Sequence, residues 1–140
     1  VQLQQAGKAV DIIPVSDYVN LPSNGLITSE KIVAENPELV QKMTTALLKG
    51  ISDTLASPDE AFAASLKAVP EAGGENEATN RAIFDASLDI WQATAAELGR
   101  TDPLAWQQAA DFMLEMGLIS QAVPVEGIFT NEFVEKAALK

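Results

Sequence analysis

The spacing of apolar positions changes once along this chain. Val10, Ile12, Ile13 and Val15 form a β-branched run near the start, interrupted by Pro14. Proline cannot donate a ladder hydrogen bond, so the run predicts a short strand at a sheet edge, ending near Pro14. Leu21-Pro22-Ser23-Asn24-Gly25 is turn chemistry, and Gly25-Leu26-Ile27-Thr28 reads as a second short strand. Ahead of both, the stretch from Val1 to Ala6 reads as the end of a short helix with Gly7 at its C-terminal cap.

From Ser29 onward the apolar residues recur every three or four positions, the period of a helix with one buried face. Three helix starts share one device, a capping side chain directly before proline: Asn36-Pro37, Ser57-Pro58 and Asp102-Pro103. The side-chain oxygen can accept a free backbone N–H, and proline has no N–H to leave orphaned. Glu60 follows Ser57 by three residues, the spacing of a capping box.

The helix after Pro37 is predicted to bury Val40, Leu47, Ile51 and Leu55. Gly73-Gly74 breaks the chain, and a long helix is expected from about Glu75 to Leu98 on the stripe Phe84, Leu88, Trp91, Ala95, Leu98. The helix after Pro103 presents Trp106, Ala110 and Met113, and ends near Gly117. Val123 to Gly127 is a connector, and Thr130 is expected to cap a last short helix through Phe133 and Ala137. Trp91, Trp106, Met113 and Met116 fall on apolar stripes and are read as core.

Two strands followed by five or six helices place the chain in the α/β class, rich in helix. Two strands alone leave sheet edges open, so their partners are expected in sequence outside the chain. The first residue is Val1 rather than Met, which adds to the expectation of a piece of a longer reading frame. Open edges would also allow two copies to self-associate.

Composition narrows the chemistry. The chain has 140 residues, 47% apolar and 21% charged, which is ordinary globular usage. Twenty acidic residues against nine basic ones give a net charge of −11. Such a surface repels phosphate backbones and anionic lipid, so no nucleic-acid or membrane-surface partner is expected. Cysteine and histidine are both absent, which removes thiol nucleophiles, Ser-His-Asp triads and the common zinc sites. No Walker, dinucleotide, EF-hand or nucleophile-elbow motif occurs. Asp59 and Glu60 sit in a first helical turn, where they favour the helix dipole rather than acid–base chemistry. No cofactor or metal is expected. The segment from Ser16-Asp17-Tyr18 to Ser23-Asn24-Gly25 differs from the rest. It gathers hydrogen-bonding groups and the only tyrosine between two expected strands, the place where small ligands bind in open α/β sheets.

The order of these segments carries a resemblance. Val10-Asp11-Ile12-Ile13-Pro14-Val15-Ser16-Asp17-Tyr18, then Ser23-Asn24-Gly25-Leu26-Ile27-Thr28, then Glu35-Asn36-Pro37-Glu38-Leu39-Val40 come first. Ala46-Leu47-Leu48-Lys49-Gly50-Ile51, Ser57-Pro58-Asp59-Glu60-Ala61 and Phe129-Thr130-Asn131-Glu132-Phe133 follow. The succession resembles the C-terminal portion of ABC-transporter solute-binding proteins of the thiamine-pyrimidine-precursor, sulfonate and nitrate type.

The resemblance implies a bilobed periplasmic-binding-protein-like fold that closes on a small solute and docks on an ABC permease. It implies a location in the periplasm, or outside the cell on a lipoprotein anchor, and a solute among aminopyrimidines, riboflavin-like vitamins or sulfonates. Residues 1–28 would contribute to the cleft and hinge, and residues 29–140 would form the helical part. By position, Asp17, Tyr18, Ser23 and Asn24 are the ligand-binding candidates that it implies. Two other readings remain open: a pyrimidine-synthesis enzyme on the same fold, and a self-contained helical interaction module.

Overall fold

The structure, a computed structural model, describes residues 2–22, 24–93 and 97–137. The helices in chain order are α1 (Gln2–Gln5), α2 (Glu30–Glu35), α3 (Pro37–Ala56), α4 (Pro58–Ala68), α5 (Glu77–Ala93), α6 (Pro103–Glu115) and α7 (Glu132–Glu135). Short 3₁₀ turns lie at Val15–Asp17, Pro70–Ala72 and Gly74–Asn76. The chain divides into two compact units, one of Val1–Ile12 with Ala46–Leu98 and one of Ile13–Thr45 with Gly99–Lys140.

The two expected strands do not form. Among the described residues the only bridge is an isolated one between Glu126 and Phe129. Neither Val10–Val15 nor 25–28 finds a neighbour to build a ladder with, and β-branched side chains alone cannot hold a strand without one. Pro14, extended at φ −68° and ψ 125°, leads straight into the 3₁₀ turn. Ile12 and Ile27 are 72% and 92% exposed. The described residues are therefore helix-rich with no strand pair among them, and without strand edges the argument for self-association loses its basis.

The helix ends explain themselves. Gly7 (φ +72°) closes α1: its N–H reaches Gln4 O at 2.9 Å and the Lys8 N–H reaches Leu3 O at 3.0 Å. Gly117 (φ +69°) repeats this pair after α6 through Leu114 O and Met113 O. This double closure needs a left-handed residue, which glycine supplies without a Cβ clash.

The three proline-led starts separate on one torsion. Asp102 has ψ 119° and its carboxylate accepts the Leu104 N–H at 2.9 Å. Ser29 has ψ 152° and caps α2 by accepting the Ile32 N–H at 3.3 Å. Ser57 has ψ 69° and makes no capping bond, so the expected capping box with Glu60 is absent. Asn36, at ψ 54°, closes α2 through its N–H to Ile32 O at 2.9 Å. Ser57 likewise still donates its N–H to Asp53 O at 2.9 Å. A residue tied to the helix behind it cannot swing to the extended ψ that aims a side chain at the helix ahead.

In the unit that holds α1, α4 and α5, Leu48 and Phe62 are buried. Phe62 meets Phe84 with ring centroids 5.4 Å apart and planes tilted by 53°. The Arg81 guanidinium lies over both rings, at 5.3 Å and 5.9 Å from their centroids. It pairs with Asp59 and Asp85 at 2.8 Å each. Those bonds, Asp59's first, raise the guanidinium pKa above its ordinary value. Asn80 Nδ2 donates to Ala72 O at 2.8 Å, tying the 3₁₀ turns to α5. Phe84, Leu88 and Trp91 are half-buried on the expected stripe, while Ala95 lies outside the described residues.

In the other unit Val40, Thr44, Ala105 and Phe133 are buried. The inward face of α3 therefore steps by four through Val40, Thr44 and Leu48, whereas Leu47, expected inside, is 46% exposed. A threonine on the buried row breaks the apolar pattern and shifts its apparent phase by one residue. Met113 and Met116, read as core, are exposed. Trp106 is half-buried as expected, stacked on Phe129 at 5.6 Å and 10° with its Nε1–H donated to Thr101 Oγ1 at 2.7 Å.

Two stability predictions follow from this geometry. Asp102→Ala should cost about 1 kcal/mol in a urea melt, the usual value of a lost N-cap, whereas Ser57→Ala should stay within about 0.5 kcal/mol of wild type. Equal losses for both would contradict the torsional account.

Candidate functional site

Asp17 and Tyr18 sit where the chain turns after Pro14. The Asp17 N–H donates to Pro14 O at 3.2 Å, and the Tyr18 and Val19 N–H groups both donate to Val15 O at 3.0 Å. This one turn spends the backbone donors locally and leaves the side chains of Asp17 and Tyr18 facing outward. Tyr18 is 80% exposed, which is unusual for so large an aromatic ring and leaves it with little packing role.

The turn forms one wall of a shallow, open pocket of about 360 Å³ lined by Asp17, Tyr18, Val19, Asn20 and Gln108. Its size is at the low end for small-molecule sites. Gln108 comes from the middle of α6 and forms the opposite wall. The Asn20 Nδ2 donates to Asp102 Oδ2 at 3.4 Å, joining the loop to the residue that caps α6. The lining offers one aromatic face, one carboxylate and two carboxamides. That set can stack on a flat ring and both donate to and accept from its polar edge. It holds no nucleophile with a base beside it, and no cluster of three metal-ligating side chains exists among the described residues.

Of the four candidates, the structure brings Asp17 and Tyr18 together in the pocket. Asn24 is exposed on the same loop and does not line it, and Ser23 lies outside the described residues. Sequence reasoning missed Asn20 and Gln108. Asn20 was within reach, two residues beyond Tyr18. Gln108 carries no local signal, because it lies on the polar side of a helix 90 residues away from Tyr18.

A clamp supports the α6 wall from the C-terminal segment. The Thr101 N–H donates to Asn131 Oδ1 at 2.9 Å and Asn131 Nδ2 donates to Thr101 O at 2.9 Å. Arg100 pairs with Glu135 at 2.6 Å, and Gln41 Nε2 donates to Phe133 O at 2.9 Å. The Phe129–Phe133 signature thus acts in packing: Phe129 on Trp106, Asn131 on Thr101, Phe133 in the core. Thr130 accepts the Glu132 N–H at 3.1 Å, the capping bond expected of it, although Asn131 is the residue at the helix boundary. Asn131→Ala should unpair two half-buried backbone groups at once and cost about 1–3 kcal/mol, measurable as a lower urea midpoint. An unchanged midpoint would remove the clamp from the stability of this unit.

Comparison with known proteins now adds to this geometry. The family model described as NMT1/THI5 like matches residues 1–61, which includes the Asp17–Tyr18 turn. The riboflavin-binding protein RibY of Chloroflexus aurantiacus is 43% identical over 137 residues, covering 96% of this chain and 39% of the relative. The chain thus spans well under half the length of that relative. No solved structure matches it. The family match over residues 1–61 and the 43% identity over 96% of the chain together support the chain as a member of the NMT1/THI5-like family.

Proposed function

We propose that this chain contributes to the binding of a small aromatic solute of the riboflavin type, in a non-enzymatic solute-binding protein that serves an ABC importer. The observation that carries the reading is the 43% identity to a riboflavin-binding protein along nearly the whole chain. The pocket chemistry supports it. A flavin has a flat ring system for Tyr18 to stack on, and its pyrimidine edge presents N–H and C=O groups for Asp17, Asn20 and Gln108. A ribityl chain adds hydroxyls for the loop's remaining polar groups, a role assigned to Ser23 and Asn24. Aminopyrimidines and sulfonates offer less aromatic surface and rank behind flavins on this lining.

The protein is assigned outside the cytoplasm, docking on a permease, with a bilobed binding-protein fold in which residues 1–28 face the cleft. No described helix is long and apolar enough to cross a membrane. The absence of histidine and cysteine agrees with binding rather than turnover. A net charge of −11 disfavours nucleic acid as a partner.

Quenching of riboflavin fluorescence by the natural full-length protein is the direct test, with thiamine-pyrimidine precursors and alkyl sulfonates as competitors. Tight binding of riboflavin alone is the expected result; preference for a sulfonate would replace the flavin assignment. Tyr18→Ala should weaken riboflavin binding about tenfold, the loss of one stacked ring at about 1.4 kcal/mol. The melting temperature should change little, because Tyr18 is 80% exposed. Unchanged affinity would remove Tyr18 from the site.

A further inference from the structure

The two walls of the pocket come from segments about 90 residues apart in sequence, and one carboxylate touches both. Asp102 Oδ1 accepts the Leu104 N–H at 2.9 Å, fixing the first turn of α6, the helix that carries Gln108. Asp102 Oδ2 accepts from Asn20 Nδ2 at 3.4 Å, holding the loop that carries Asp17 and Tyr18. Its neighbour Thr101 is locked in turn by both bonds to Asn131 and by Trp106 Nε1. Asp102 therefore stands on a fixed base and reaches outward to the loop.

We infer that Asp102 is the positioning residue of the pocket. One oxygen orients α6 and the other sets the distance of the Asp17–Asn20 turn from Gln108. It does not line the pocket and touches no solute. The inference rests on the binding assignment above for its functional meaning, but its structural content stands without any ligand. The loop-side bond is long and exposed, so it biases the turn rather than clamping it. The effect on affinity is accordingly modest: a loop held only part of the time in the competent position lowers apparent affinity by that fraction.

Asp102→Ser separates the two roles. Serine caps a helix about as well as aspartate does, so its one oxygen can keep the Leu104 bond. Its side chain is too short to reach Asn20 as well, and the loop contact is lost. Asp102→Asn is the conservative partner: its oxygen keeps the Leu104 bond, and the Asn20 carboxamide can turn over and offer its oxygen to the new amide.

The experiment uses the full-length protein without ligand and measures amide hydrogen exchange at Tyr18 and Val19 and along α6. D102S should speed exchange in the turn two- to fivefold and leave α6 unchanged, and D102N should keep the turn near the wild-type rate. Exchange in the turn that is unaltered by D102S, or equally fast in D102N, overturns the inference. A second measurement, riboflavin titration, should show D102S two- to fivefold weaker than wild type at equal melting temperature; equal affinity would likewise sink the positioning role. Should wild type bind no riboflavin, the flavin assignment fails, and the exchange data still decide whether Asp102 sets the turn.

Discussion

Two hydrogen bonds between the Thr101 backbone and the Asn131 carboxamide hold the entry of α6 against the segment that ends the chain. A carboxamide offers a donor and an acceptor side by side, so Asn131 gives Thr101 what a neighbouring strand would have given it. Much else in this unit is arranged around that pair. Trp106 hangs from the Thr101 hydroxyl and stacks on Phe129, Arg100 next to Thr101 pairs with Glu135, and Phe133 fills the core two residues beyond Asn131. With no sheet among the unit's described residues, one side chain substitutes for a ladder. The pocket inherits its rigid wall from it, since Gln108 lies less than two turns beyond Trp106 on α6.

The other unit solves the same problem with charge and aromatic surface. Arg81 joins α4 to α5 through Asp59 and covers the rings of Phe62 and Phe84, while Asp85 holds it from its own helix one turn on. An arginine suits this place because its planar group can lie on a ring and still donate in two directions. Asp59 serves twice, at the positive end of α4 and as the partner across to α5. The acids of this strongly acidic chain are therefore not all a solvated coat, since Asp59 makes a contact between two helices.

The loop from Ile13 to Thr28 stands apart from both arrangements. Most of its apolar side chains, Ile13, Val15 and Ile27 among them, are exposed, and the backbone bonds around Tyr18 are local to one turn. Tyr18 is held by that turn rather than by packing, so its ring is left exposed. A site built in this way depends on outside contacts for its precision, and the Asn20–Asp102 bond is the contact that reaches it from α6.

Helices were legible in the sequence because their signals are local: a 3.6-residue period, proline at the first position and glycine at the left-handed end all act within one or two turns. α3, α4 and α6 start at the prolines that announce them, and Gly7 and Gly117 close the helices that they were expected to close. Which capping side chain forms its bond was not legible, because Ser57 and Asp102 look alike until the preceding helix fixes ψ. The buried row of α3 was misplaced by one residue, since Thr44 is inside for reasons of neighbours rather than hydrophobicity. The two expected strands do not form among the described residues for a related reason: β-branched residues state a preference, but a strand exists only where another strand meets it. At the site, the sequence by itself determined the chemistry of the Asp17–Tyr18 turn through Pro14 and the lone tyrosine. Only the tertiary structure brought Gln108 to face them, because contacts between residues 90 positions apart depend on how helices pack, and no local pattern records that.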